Sequence, residues 1–132
     1  MSTISMMEDS TVEALSRFLD VDVALYKLIS ANGANIDTPG YRTLDLDFRA
    51  ELRRAATETE EDAFTGGELA SFTPVAHAVR GLMERPDGNN VSLERESLLL
   101  ADAQMKYNLG IQLLKDEFHS LAAAINSGGT TS

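Results

Sequence analysis

The stretch SLERESLLLADAQMKYNLGIQLLKDEFHSLAAAIN, Ser92 to Asn126, decides the fold class. Within it Leu100, Ala103, Tyr107, Ile111, Leu114, Phe118, Leu121 and Ile125 follow one another at steps of 3, 4, 4, 3, 4, 3 and 4. Seven steps over 25 residues average about 3.6 residues, the period of an α-helix, so these side chains share one face. Leu98, Ala101, Met105, Leu109 and Leu113 form a further row beside it. Upstream, the turn-prone Pro86-Asp87-Gly88-Asn89 leads to Asn90 and Ser92, either of which can cap the helix, and Glu94 and Glu96 suit the positive end of its dipole. Gly128 and Gly129 supply a stop, so a C-terminal helix is predicted over 92–126 with a frayed tail at 127–132.

Working outward, Ser10-Thr11-Val12-Glu13 reads as a capping box, in which the Ser side chain takes an amide three residues on and the Glu reaches back. A flexible stretch, 1–9, and a helix over 10–33 are therefore predicted. Val12, Leu15, Leu19, Tyr26 and Ile29 line one face of that helix, and Phe18, Leu25 and Leu28 form a second row. Gly33 weakens its end, and Pro39 disfavours a helical Thr38. Residues 34–48 read as a turn and a short extended piece, since Leu44, Leu46 and Phe48 alternate with Asp45 and Asp47. The variable middle, 49–91, holds a short helix at Arg49–Ala56 and then an acidic run, Thr57–Gly67, whose composition favours a solvated, mobile segment. The expected fold is all-α: N- and C-terminal amphipathic helices packing as a coiled-coil hairpin, with a short extended or irregular middle.

The predicted helices are unequal. At ~1.5 Å per residue, Ser10–Ala31 makes a rod of about 33 Å and Ser92–Asn126 one of about 52 Å. A two-helix hairpin hides one seam of each and leaves the other rows wet, and exposed apolar surface of that extent marks a protein interface. A chain that packs side by side with companions in a helical assembly is the expectation.

Composition narrows the alternatives. The 132 residues suit one domain. Eleven basic against 21 acidic residues give a net charge of −10, which works against nucleic acid and anionic lipid. With no Cys there is no disulfide, thiolate metal site or cysteine nucleophile. No basic, apolar leader opens the chain, and no apolar run reaches the ~20 residues of a membrane span, so neither signal cleavage nor membrane insertion is expected. His77 and His119 lack a ligand neighbour at i+4. Asp45 and Asp47 share a strand face as solvated groups, and Glu58–Asp62 lacks the glycine punctuation of a calcium loop. Gly66-Gly67-Glu68 lacks the Lys-Ser/Thr of a phosphate cradle, and Met6-Met7 reads as a frayed terminus. No catalytic, metal or cofactor residue is expected.

Ser30-Ala31-Asn32-Gly33-Ala34-Asn35-Ile36-Asp37-Thr38-Pro39-Gly40-Tyr41 resembles the Asn-x-x-Asn-x-x-Thr-Pro-Gly-Tyr signature that follows the first helix in axial proteins of the bacterial flagellum. Asp87-Gly88-Asn89-Asn90-Val91-Ser92-Leu93-Glu94-Arg95-Glu96 is similar to the segment that opens their C-terminal helix. Together with the short length, the two motifs resemble the flagellar basal-body rod protein B family. The motif also has a plain physical reading: Asn32 and Asn35 can bond nearby backbone, Pro39 fixes one φ, Gly40 permits a positive one, and Tyr41 anchors the turn.

The resemblance implies a structural subunit of the proximal rod, sent out by the flagellar type III export apparatus without signal cleavage. It implies as partners copies of itself, other rod subunits, and membrane-ring and export-gate proteins at the rod base. The implied subunit interface takes in Leu15, Leu19, Tyr26, Ile29, Asn32, Asn35, Thr38, Pro39, Gly40 and Tyr41, with Leu100, Tyr107, Ile111, Leu114, Phe118, Leu121 and Ile125. The rival readings are an acidic helical adaptor or secretion chaperone holding a single partner, and a small enzyme with carboxylate chemistry.

Overall fold

The computed structural model describes residues 3–65 and 73–128. Among these, the chain runs α1 (Thr3–Ala34), β1 (Leu44–Asp45), α2 (Phe48–Thr65), β2 (His77–Ala78) and α3 (Leu93–Gly128). The protein is mostly helical, and the two-residue strands pair antiparallel with Leu44 opposite Ala78 and Asp45 opposite His77. α1 and α3 lie side by side and antiparallel: Asn32 near the end of α1 meets Glu96 at the start of α3, while Leu19 lies against Gly110 further along.

The core is built on a slightly rotated face of α1. Val21, Leu25 and Ile29 recur at four-residue spacing and are buried together with Leu46 and Ala103, and Leu28, Phe48, Leu52, Leu99 and Leu100 pack around them. Tyr26, expected on that face, lies at its edge. α2 completes the core through Phe48 and Leu52. The Phe18 and Phe48 rings meet edge to face with centroids 5.2 Å apart, and the Lys106 ammonium sits 4.4 Å above the Phe48 ring while pairing with Asp102 at 2.6 Å. Two helices alone therefore do not make this core, as the hairpin expectation had it.

Several boundaries differ from the sequence reading; α3 runs to Gly128, two residues into the predicted frayed tail. α1 begins at Thr3, so residues 3–9 are helical and Ser10 lies inside the helix. Serine in a helix interior costs only about half a kcal/mol, and the methionines before it are good helix formers. α1 consequently has 32 residues and α3 36, or about 48 and 54 Å, and the length mismatch between the two predicted rods shrinks to about 6 Å. Gly33 does not end α1, which continues to Ala34.

α2 runs on through Thr65 instead of stopping at Ala56; Glu58, Glu60, Glu61 and Ala63 beyond Ala56 are good helix formers. Its start is set by Asp47, whose carboxylate accepts the Ala50 N–H at 3.1 Å as an N-cap, a role that strand alternation hid. The Gly66-Gly67-Glu68 stretch lies outside the described residues.

α3 packs tightly against α1 at Gly110. A Cβ there would come within 2.7 Å of Leu19 Cδ2 and 3.1 Å of Phe18 Cδ1. Alanine can be accommodated by turning the Leu19 side chain and gains about 1 kcal/mol of helix propensity. Valine cannot. Gly110→Val is expected to lower unfolding free energy in urea by about 2 kcal/mol, the usual cost of overpacking, whereas Gly110→Ala stays near the parent.

Candidate functional site

Two motifs fifty residues apart in sequence close on each other here. The first is the exit from α1. Asn35 donates from its side-chain amide to Ala31 O at 2.8 Å and accepts from Thr38 Oγ1 at 3.0 Å, which ends the helix within one turn. Thr38-Pro39-Gly40-Tyr41 then turns tightly, with the Tyr41 N–H donating to Thr38 O at 3.2 Å and Gly40 at φ 74°, a value open to glycine.

The second motif zips onto it. The Gly40 N–H donates to Asp87 O at 2.8 Å, and the Asn89 amide donates to both Asn35 O and Thr38 O at 2.9 Å. The Thr43 N–H donates to Asn90 Oδ1 at 2.7 Å, and Thr43 Oγ1 donates to Asn90 O at 3.2 Å. Gly88, at φ 86°, passes so near Gly40 that a Cβ on it would stand 3.4 Å from Gly40 Cα. Arg85 donates to Ile36 O, and Arg42 pairs with Glu84 at 3.1 Å. Asn90 is thus a clamp, and the cap of α3 is Ser92, whose hydroxyl accepts the Arg95 N–H at 3.3 Å.

Asn32 is the hub. It is almost fully buried, and its carbonyl oxygen accepts the Tyr41 hydroxyl at 3.0 Å and the Leu44 N–H at 3.0 Å. Its amide donates to Leu44 O at 2.7 Å and to Glu96 Oε2 at 3.2 Å. Glu96 is buried as well; its other oxygen accepts Arg95 Nη1 at 2.9 Å, and Arg95 Nη2 reaches Asp45 at 2.5 Å. Every member has a partner, the condition under which a buried polar network stabilises one arrangement. Burial first, and then the charge of Glu96, push the Tyr41 hydroxyl above its ordinary pKa, so it stays a donor across the physiological range.

Beyond this buckle the helices keep apolar surface uncovered. On α3, Leu98 and Met105 are each 69% exposed, and Leu109, Leu113, Phe118 and Ile125 are also exposed. On α1, Val23 and Tyr26 are exposed, with Tyr107 of α3 beside them.

Of the residues singled out from the sequence, Ile29 and Asn32 are buried within this chain and belong to its interior, because the core and the polar hub use them there. Leu15, Leu19, Asn35, Tyr41, Leu100, Ile111, Leu114 and Leu121 are half-buried, and Thr38, Pro39 and Gly40 are exposed at the turn. His77 lies on β2 and His119 on α3, both exposed. Among the described residues no cluster of three or more His, Asp or Glu is placed to hold a metal ion, and no helix is long and apolar enough to cross a membrane.

Asp22 was not foreseen. It lies in the α1–α3 seam, only 2% exposed, and its Oδ1 is buried without a hydrogen-bond partner among the described residues. Burial raises its pKa from 3.8 to about 6, Lys106 opposing the shift and Asp102 adding to it. A carboxyl whose folded value exceeds its unfolded one favours the folded state most when protonated. Stability is therefore lost as pH rises from about 4 through about 6, by on the order of 3 kcal/mol. Asp22→Asn is expected to be more stable than the parent at pH 7.5 and level with it near pH 3.5, compared by urea unfolding at each pH.

The remaining misses share a cause. The partners Asn89, Glu96 and Asp45 are polar residues read locally as turn, dipole and solvent-facing groups, and only their long-range pairing, with Arg95, reveals the buckle. The doubled Asn after a Pro-Asp-Gly turn was the one available signal.

Known proteins with related sequences put this arrangement in context. No protein-family model matches the chain. The flagellar basal body rod protein FlgB of Salmonella typhimurium is 27% identical over 134 residues, covering 91% of this chain and 96% of that protein. That of Escherichia coli K12 is also 27% identical, with the same coverage. The FlgB of Proteus mirabilis HI4320 is 30% identical over 118 residues, covering 77% of this chain and 83% of that protein.

Proposed function

The chain belongs to the flagellar basal body rod protein FlgB family, and on that premise we propose how it joins the rod. It is a structural subunit of the flagellar basal-body rod, assembling with other rod subunits. Its relatives are structural rod proteins, which leaves no support for an enzyme or for an adaptor serving a single client.

The observation that carries the assembly reading is the uncovered apolar surface of α1 and α3, with Leu98, Met105, Phe118 and Ile125 more than half exposed on one helix. Surface of this kind on an isolated chain marks contact with protein. In the rod, these faces pack as a coiled coil against neighbouring copies and related subunits, with Leu15, Leu19, Tyr26, Tyr107, Ile111, Leu114, Leu121 and the exposed Thr38-Pro39-Gly40 turn contributing. The buckle holds α1 and α3 in one register, so every copy presents the same pair of faces.

The finer placement follows the family resemblance: passage through the type III export apparatus without signal cleavage, and contact with membrane-ring and export-gate proteins at the rod base. Folding against a neighbour as it becomes available would place part of the ordering cost on the binding step.

The test is direct. Immunogold labelling of purified basal bodies with an antibody to this chain is expected to mark the base of the rod, and recovery of the chain only as a cytosolic complex with one client would overturn the reading.

A further inference from the structure

Between α1 and α3, on the side away from α2's Phe48, lies a groove of about 610 Å³ walled by Asp22, Tyr26 and Lys27 of α1 and by Gln104, Tyr107 and Asn108 of α3. Its chemistry differs from the apolar faces. Two tyrosine rings, 43% and 46% exposed, stand on facing helices, two amide side chains offer carbonyl acceptors, and Asp22 forms part of the wall.

Asp22 is the feature that demands an explanation. A buried carboxylate is ordinarily hydrogen-bonded or paired, because burying it otherwise costs several kcal/mol. Here the cations near it are engaged or turned outward: Lys106 is bonded to Asp102 and stacked on Phe48, and Lys27 is exposed at the rim. The other charge facing Asp22 from α3 is Asp102, itself an anion. Among the described residues, then, Asp22 Oδ1 is an acceptor with no donor.

We propose that this groove receives a basic side chain, arginine or lysine, from a neighbouring chain in the assembly, its cation held by Asp22 and flanked by the Tyr26 and Tyr107 rings. Tyrosine faces attract cations within about 6 Å of the ring centre, and the amide oxygens can accept the remaining donors. A guanidinium, planar and rich in donors, suits such a slot better than an ammonium. Charge favours a basic neighbour over a second copy, since this chain carries −10. The 610 Å³ leaves room for the side chain and the backbone bearing it. Docking would give the buried Asp22 charge a partner and remove the destabilisation it causes in the free chain, so contact with the right neighbour would firm the α1–α3 pair.

The proposal rests on the rod-subunit reading only for the source of the cation, and it can be tested on the full chain alone. Nα-acetyl-arginine methylamide is titrated into the protein at pH 7.5, reading the ring protons of Tyr26 and Tyr107 by NMR, with Nα-acetyl-norleucine methylamide as the uncharged control. Saturable shifts at both rings with the arginine derivative, absent with norleucine, are expected, and Asp22→Asn should weaken the binding by roughly tenfold, the worth of one charge-assisted hydrogen bond. Tyr107→Ala, which removes a half-exposed ring, should weaken it several-fold and serves should the Asp22 variant misfold. No shift, equal shifts with norleucine, or undiminished binding in both variants overturns the proposal. Such a failure would leave basal-body labelling untouched, and failed labelling would leave the titration valid.

Discussion

Asn32→Ala is expected to lower the unfolding free energy of the isolated chain by about 3–5 kcal/mol, a large share of the 5–15 kcal/mol typical of a domain. The reason lies in what the amide leaves behind. Its loss strips partners from the Leu44 N–H and carbonyl, the Tyr41 hydroxyl and one Glu96 oxygen, in a site where Asn32 and Glu96 are 1% and 3% exposed. Buried groups deprived of partners bear the full desolvation cost, and the Glu96 charge is the most expensive of them. By circular dichroism the melting temperature should fall by roughly 10–20 °C. Asn32→Asp should be at least as damaging at pH 7, since it sets a second carboxylate against Glu96, and should recover part of the loss at low pH. A shift of a degree or two in Asn32→Ala would mean that the hub is incidental to the fold.

The opposite signature is expected at Phe118. Its ring is 53% exposed on α3, so Phe118→Asp should leave the melting temperature of the isolated chain within about 2 °C, as most surface substitutions do. In the assembly the same change places an uncompensated charge in an apolar contact repeated at every copy, costing several kcal/mol each time. Swimming in soft agar and recovery of the chain in basal bodies should both be lost. Leu114 is a less clean target, because it is half-buried against this chain's own helices and an aspartate there would also weaken the monomer. Normal swimming by a Phe118→Asp strain would show that this part of α3 faces solvent in the rod. Between them the two variants separate the work of the buckle, which acts within one chain, from that of the helix faces, which act between chains.

Much of this architecture was legible in advance for a simple reason: helical periodicity is a local property. The Leu100–Ile125 row needed nothing but its own spacing to announce α3, and the excess of apolar rows over what two helices can hide correctly pointed to exposed faces such as Leu98 and Met105. The two motifs were visible as unusual strings of Asn, Pro and Gly. Their meeting was not. Nothing in the spacing of Asn32, Asn89, Asn90 and Glu96 says that they touch, because hydrogen-bond partners 47 to 64 residues apart leave no periodic trace. The acidic run after Ala56 misled for a related reason. Charge density argues for a mobile segment, yet the same residues can continue a helix once Asp47 caps its start.

The amino-acid sequence by itself determined that the chain is mostly helical, that its helices carry more apolar surface than one copy covers, and which family it belongs to, since each of these is written in local spacing or in motif strings. The tertiary structure alone decided which of those residues turn inward. Asn32 became a buried hub, Gly110 a tight contact against Leu19 and Phe18, and Asp22 a carboxylate with no hydrogen-bond donor for its Oδ1 among the described residues. Burial and pairing are properties of what lies across the space from a side chain, and that neighbour comes from elsewhere in the chain.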